Sequence, residues 1–501
     1  MVLQRQPSTD VSSRRSYSYP WIALIGILLL AGVLNLYKLG DESLWIDELY
    51  SVYDAQGLPA TLSLERPLYY ILLRGWMLLS TGDTWLRALS VLFNISSVFL
   101  IYQLGRRIAG KSIGLISALL FALSPLVINF AQMIRMYAMA TCLGLGGSLA
   151  LTHALEQPTL VSMGWWTAAR ILMIGTTPLT ATLLLADVVL IGWRFRQQRR
   201  ILRTFALFLL VSAISFIPIA WTTIAQRTDL LSSESEVSLQ SDTSSINLVS
   251  DLKLIFGKLR KFTAFPFPMP SKLIGLFYQI YTVALWCLLG IALVHWKQFS
   301  KIRWVLLWAV IPSICNLVAD EGLFATDRYI LFVLPYFLIL VSAGFVTVWR
   351  WRRTVAIALA LIYIPAVCGG LFRYYTVQDR QDWRGMMHAI SAGERAGDRI
   401  ILATHNPRKA PLALLHYYHG NNSISGLTSN TCRDASSLSN VQSTSSRIWL
   451  ICGSDINASR LKQQLQSQFQ IASHQQFTNW GFDRQNDYLH LFLLVRRSNL
   501  Y

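Results

Sequence analysis

The sequence predicts an α-helical polytopic membrane protein that ends in a soluble α/β domain. Three observations lead there. Of 501 residues, 53% are hydrophobic and only 14% charged, whereas soluble domains carry roughly 25% charged residues. Apolar runs of spanning length recur from 20 to 372, and after Arg373-Tyr374-Tyr375 the composition turns abruptly polar. A spanning helix needs about 20 mostly apolar residues, because only a helix satisfies its own backbone in hydrocarbon.

The N-terminal segment, 1–19, carries Arg5, Arg14 and Arg15 ahead of the first run, and no small-residue cleavage site follows Leu30. It reads as a cytoplasmic segment leading into an uncleaved signal anchor. Eleven candidate spans follow, at 20–38, 85–104, 112–130, 137–155, 162–176, 178–194, 203–224, 272–296, 303–319, 328–348 and 354–372. The segment 67–79 is too short to cross and holds Arg74 in its middle. If it crossed, Arg106-Arg107-Lys111, the run 194–203, the run 297–303 and the run 350–353 would all lie outside; if it lies on the surface, all four lie inside. The positive-inside rule selects the surface helix. The outer side then holds the loop 39–84, the stretches 131–136, 176–177, 225–271 and 320–327, and everything from about 373 onward.

The formal charge of +18 does not point to nucleic acid, because Lys and Arg stand in short runs beside apolar segments and form no continuous basic face. Cys142, Cys287, Cys315 and Cys368 fall in apolar segments, which leaves Cys432 and Cys452 as the two that could pair in an oxidising compartment. Within the spans, Arg170 and Asp187 stand on either side of the turn at Thr176-Thr177-Pro178 at similar depth, as an ion pair locking a helical hairpin would. His153 and His295 sit near inner span ends.

The soluble domain, 373–501, shows an amphipathic helix at 382–395, a strand at 398–403, a helix at 410–419, strands at 447–452 and 489–495, and a polar helix at 458–468 between those last two. The Ser-rich stretch 433–446 reads as a loop. His416 and His419 share one helix face, but no third and fourth metal ligands accompany them. The membrane region, 20–372, shows no repeat of fixed period, which weighs against the repeat-built transporters.

Four short motifs fall on the outer side: Asp47-Glu48, Glu65-Arg66-Pro67-Leu68-Tyr69-Tyr70, Gln132 with Arg135-Met136-Tyr137, and Asp327-Arg328-Tyr329. Carboxylates beside arginines and tyrosines at a lipid surface suit one task well. The cations hold a lipid phosphate while a carboxylate takes a proton from an acceptor hydroxyl. At these residues the chain resembles the integral-membrane GT-C glycosyltransferases of family 39, which include protein O-mannosyltransferases and the aminoarabinose transferase acting on lipid A. The resemblance runs from about 41 to 335 and extends to Asp382-Trp383-Arg384. It implies Asp47 as catalytic base, a polyprenyl-phosphate sugar as donor, and inversion at the anomeric carbon. By position it gives Glu65 as a carboxylate that helps bind a metal and Arg66 as its donor-phosphate neighbour. The residues themselves give Arg66, Arg135 and Arg328, with Tyr137 and Tyr329, as the donor-phosphate site, and Glu48 and Glu65 as groups orienting the acceptor or a metal.

Departures from the family pattern are Met133 for a glutamate, Leu68 for a proline, and Thr176-Thr177-Pro178 for a Thr-His-Tyr element, which leave a divalent cation open. The acceptor class, whether lipid, protein or glycan, also stays open. The expected location is the cell membrane, with the N-terminus cytoplasmic and the C-terminal domain outside. Two other readings are a transporter or flippase with Arg170 and Asp187 on its pathway, and an assembly subunit that kept the fold without the chemistry.

Overall fold

The structure, a computed structural model, describes residues 20–57, 67–234, 257–258, 260–261, 263–264, 272–299, 301–319, 327–377, 380–404, 411–428, 446–453, 458–466, 469–478 and 488–496. Its membrane part is a helical bundle: α1 (Pro20–Leu36), α2 (Ile46–Gln56), α3 (Pro67–Met77), α4 (Asp83–Ala109), α5 (Lys111–Ala122), α6 (Pro125–Ala131), α7 (Tyr137–Glu156), α8 (Leu160–Thr176), α9 (Ala181–Arg194), α10 (Arg199–Glu234), α11 (Lys272–Val294), α12 (Ile302–Ala319), α13 (Leu334–Trp351) and α14 (Arg353–Thr376). Six helices among the described residues are long and apolar enough to cross a membrane, and α5 with α6 makes a seventh if that pair, bent by 64°, is one span. The expected count of eleven is therefore not reached by length. Helices α1, α8 and α9 run only 17, 17 and 14 residues, and α5 is broken from α6 before Pro125, where a ring in place of an N–H ends the ladder. The protein is a multi-pass membrane protein on the six long helices alone.

The helix ends gather at two faces. At one, Arg107 pairs with Glu156 at 2.5 Å, Lys301 reaches the same carboxylate, and Arg303 lies over Trp193 and Trp296 at 4.7 and 4.3 Å. At the other, Gln132 donates to the Asn35 and Tyr37 carbonyls at 2.8 and 2.9 Å and accepts from Tyr374 at 2.6 Å. The surface helix α3 belongs to this second face, since Arg74 donates to the Gln56 carbonyl at the end of α2. At about 16 Å, from 1.5 Å per residue, α3 cannot cross the bilayer. It buries Tyr69, Tyr70, Leu73 and Met77 and exposes Ile71, Leu72 and Arg74.

Close approach of α11 and α13 depends on Gly344, where an added Cβ would sit 1.9 Å from the Leu288 carbonyl oxygen. Small residues let membrane helices approach at backbone distance. We expect Gly344→Ala to destabilise the chain by about 1–3 kcal/mol through overpacking. A thermal-unfolding midpoint in detergent equal to that of the parent would contradict this.

Helix α14 carries the chain to Thr376, a few residues past the expected boundary at 372. The soluble domain adds α15 (Trp383–Gly393), α16 (Pro411–Tyr417), α17 (Ala458–Gln466) and five strands, β1 (Arg399–Thr404), β2 (Ser423–Thr428), β3 (Arg447–Cys452), β4 (Phe469–Thr478) and β5 (Tyr488–Arg496). They form one sheet in the order β2-β1-β3-β5-β4, parallel through β2, β1 and β3 and antiparallel at β5 and β4. Trp449, Leu489 and Leu491 join Trp383, Met386 and Leu414 in a core continuous with that of the membrane helices, while Ile401, Leu450 and Phe492 pack with Leu461 and Leu465 of α17. Cys452 is disulfide-bonded; its expected partner, Cys432, lies outside the described residues.

Candidate active site

The site is built on the first turn of α2. Trp45 is extended at φ −83° and ψ 168°, the helix begins after it, and Asp47 and Glu48 fall in the first turn, where the helix dipole favours anions. Glu48 reaches back to accept the Trp45 N–H at 3.2 Å, the reciprocal half of a capping box.

The two neighbouring carboxylates part company at once, because successive residues on a helix point about 100° apart at 3.6 residues per turn. Glu48 turns inward and is fully buried. Arg87 of α4 grips it with Nε and Nη2 at 3.0 and 2.9 Å, and the Ile134 N–H donates to it at 2.9 Å. Burial alone pushes the Glu48 carboxyl up, but the Arg87 and Arg380 cations and these hydrogen bonds outweigh it and hold the group below its ordinary value. Its lone pairs are spent inside the protein. The expected role of Glu48 in orienting an acceptor or metal does not fit this geometry; it holds the turn that carries Asp47.

Asp47 points the other way and keeps 20% of its side chain exposed. Its Oδ2 accepts from Arg328 Nη1 at 3.1 Å, across 281 residues of sequence. Arg328 lies over the rings of Tyr329 and Trp45 at 5.1 and 6.0 Å. Arg135 donates to the Asp47 carbonyl and to Ser51 Oγ, each at 3.1 Å, and stands 5.7 Å from the Tyr137 ring. The Nε groups of Arg135 and Arg328 are buried without an acceptor among the described residues. Asp47, Arg135, Tyr137, Arg328 and Tyr329 are thus brought together. Glu65 and Arg66 lie outside the described residues.

Three residues of this face escaped the sequence reading. Arg87 carries the only guanidinium in the first turns of α4, inside a predicted span, and that position was the available signal. Arg380 pairs with Glu42 at 3.3 Å, and Lys258 pairs with Asp327 next to Arg328; neither sits in a recognisable pattern. Lys258 also lines an apolar cavity of about 220 Å³ between α11, α12 and α13, walled by Trp286, Leu289, Leu317, Ile330 and Phe337. Ile330 places the cavity two residues from Arg328.

Arg170 and Asp187 form the expected pair, bidentate at 2.7 and 3.1 Å and fully buried. Trp166 and Trp308 each donate to the carboxylate at 2.7 Å, and Arg170 donates to Gly144 O and Ser148 Oγ, each at 2.9 Å. With every polar atom engaged, the pair ties α7, α8, α9 and α12 together. No group of three His, Cys, Asp or Glu side chains among the described residues is arranged to hold a metal.

The fold is that of the integral-membrane GT-C glycosyltransferases. Among solved structures, ArnT from Cupriavidus metallidurans in the apo state superposes with a TM-score of 0.58 at 13% identity, over 94% of this chain and 97% of that one. The same protein bound to undecaprenyl phosphate gives 0.56 at 12% identity, over 95% and 98%. The archaeal oligosaccharyltransferase AglB from Archaeoglobus fulgidus, in complex with an inhibitory peptide and a dolichol-phosphate, gives 0.57 at 11% identity, over 97% of this chain and 77% of that one. No family model and no curated protein matches the sequence.

Proposed function

We propose that the chain is a glycosyltransferase that moves a sugar from a polyprenyl-phosphate donor to an acceptor hydroxyl at the outer membrane face. The observation that carries this reading is the Asp47–Arg328 pair, 3.1 Å apart, on a segment whose next residues, Ile330 and Val333, line an apolar cavity. The donor's hydrocarbon tail lies in that cavity and its phosphate at Arg328, Arg135 and Lys258, with Tyr137 and Tyr329 flanking the cations. Asp47 takes the proton of the acceptor hydroxyl, the oxygen attacks the sugar C1, and the bond from C1 to the phosphate oxygen breaks on the opposite face. The configuration at C1 inverts. The phosphate departs as an anion and is stabilised by cations already in place. Arg66 is assigned to the same phosphate, and Glu65 to the acceptor or a divalent cation, from the sequence alone.

Neighbours of the same fold have been solved with dolichol-phosphate and with undecaprenyl phosphate, which supports the donor class. The acceptor is a lipid, protein or glycan hydroxyl. The protein is assigned to the cell membrane with its basic helix ends in the cytoplasm and the soluble domain outside, where the Cys452 disulfide is at home.

Arg328→Ala tests the phosphate assignment. We expect affinity for undecaprenyl phosphate, measured on the purified chain in nanodiscs, to fall about tenfold to a hundredfold, as the loss of a charge-assisted hydrogen bond worth about 1.5–3 kcal/mol requires. An unchanged affinity would remove Arg328 from the donor site.

A further inference from the structure

Asp382-Trp383-Arg384 takes no part in the chemistry proposed above, yet its contacts lead straight to the catalytic turn. Asp382 caps α15 by accepting the Gly385 N–H at 2.9 Å, and Trp383 is anchored in the core at 2% exposure. Arg384 is thereby aimed away from the soluble domain, across the first outer loop. It donates to the Gly40 carbonyl at 3.0 Å and to Asp83 Oδ2 at 2.6 Å. Tyr417 of α16 donates to the same Asp83 oxygen at 2.6 Å, and its hydroxyl accepts the Leu44 N–H at 2.7 Å. Leu44 immediately precedes the residue from which α2 starts. On the opposite side, Arg87 binds the Leu39, Glu42 and Ser43 carbonyls at 3.0, 2.8 and 3.1 Å.

The loop 39–45 is therefore held between a membrane helix and the soluble domain. Helix α2 has only 11 residues, fewer than the roughly 12–15 an isolated helix needs to be even marginally stable, so its placement depends on this grip. We infer that Arg384 and Tyr417 are positioning residues for Asp47, which makes the soluble domain a working part of the active site. The catalytic meaning of Asp47 rests on the proposed function; the grip itself does not. A misplacement of about 1 Å at a reacting group can cost about a hundredfold in rate, so a loosened α2 would slow turnover without touching the donor.

The experiment compares the full-length chain in nanodiscs with Arg384→Gln, Tyr417→Phe and the conservative Arg384→Lys. Amide hydrogen exchange, which needs no substrate, should quicken over 39–57 in the first two variants and stay unchanged over 331–351. Affinity for undecaprenyl phosphate should remain within about twofold, while kcat for consumption of an undecaprenyl-phosphate-linked hexose falls at least about tenfold at unchanged KM, within the range of such positioning effects. Arg384→Lys should restore part of both the protection and the rate. Exchange over 39–57 that matches the parent, or that rises equally throughout the chain, overturns the inference. Equal consumption of donor by the parent and by Asp47→Asn would instead overturn the proposed function and leave the exchange result to stand alone.

Discussion

Asp47→Asn is expected to lower turnover of a polyprenyl-phosphate sugar by about 100- to 10,000-fold, the span that a positioned general base contributes, in a protein that stays folded and still binds undecaprenyl phosphate. The amide is nearly isosteric, and its oxygen can still accept from Arg328 Nη1, which now sits 3.1 Å from the Asp47 carboxylate. What it cannot do is take a proton from the acceptor hydroxyl. The effect should therefore appear in kcat, with donor affinity retained. Turnover equal to that of the parent, in protein shown to be folded, would remove Asp47 as base.

Glu48→Gln is expected to destabilise the chain by about 3–5 kcal/mol at neutral pH, the cost of breaking a buried ion pair from one side. The amide would leave the buried Arg87 guanidinium without its anion and would turn an N–H₂ toward donors that now point at carboxylate oxygens. The sign of the pH dependence follows from the folded carboxyl lying below its ordinary value of 4.5. Between the folded and unfolded values the unfolded chain binds more protons, so stability rises with pH there. The Glu48 contribution is fully present above 4.5 and is lost as pH falls through the folded value. Thermal unfolding in detergent should show a large gap between parent and variant at neutral pH that narrows on acidification through this window. A gap that is small at neutral pH, or that widens in acid, would contradict the assignment.

Part of this was legible in the sequence because topology is legible. The basic runs beside apolar segments put α3 on the surface, and that one choice placed Asp47, Arg135 and Arg328 on the same side. The structure brings the three together. The opposite fates of Asp47 and Glu48 were not legible, since adjacent acids look equivalent until the helix that begins after Trp45 sends one inward. Arg87 was missed although its place inside a predicted span marked it, because the partner that gives it a role, Glu48, lies 39 residues away.

In the soluble domain the apolar runs marked β1, β3 and β5, the strands buried at the centre of the sheet. Strands β2 and β4 were missed. Both are edge strands, and β4, with the sequence Phe469-Gln470-Ile471-Ala472-Ser473-His474-Gln475-Gln476-Phe477-Thr478, carries the polar composition an edge tolerates because only one of its sides is paired. The use of Asp382-Trp383-Arg384 could not be read either, because Gly40 and Asp83 are its partners only in three dimensions.

The most direct measurement is mass spectrometry of lipid-linked sugars and envelope glycans from cells carrying either the parent protein or Asp47→Asn at equal abundance in the membrane. Transfer from a polyprenyl-phosphate donor predicts that the variant accumulates one lipid-phosphate-linked sugar and that one envelope component loses the corresponding sugar mass. Identical profiles from the two strains would contradict it.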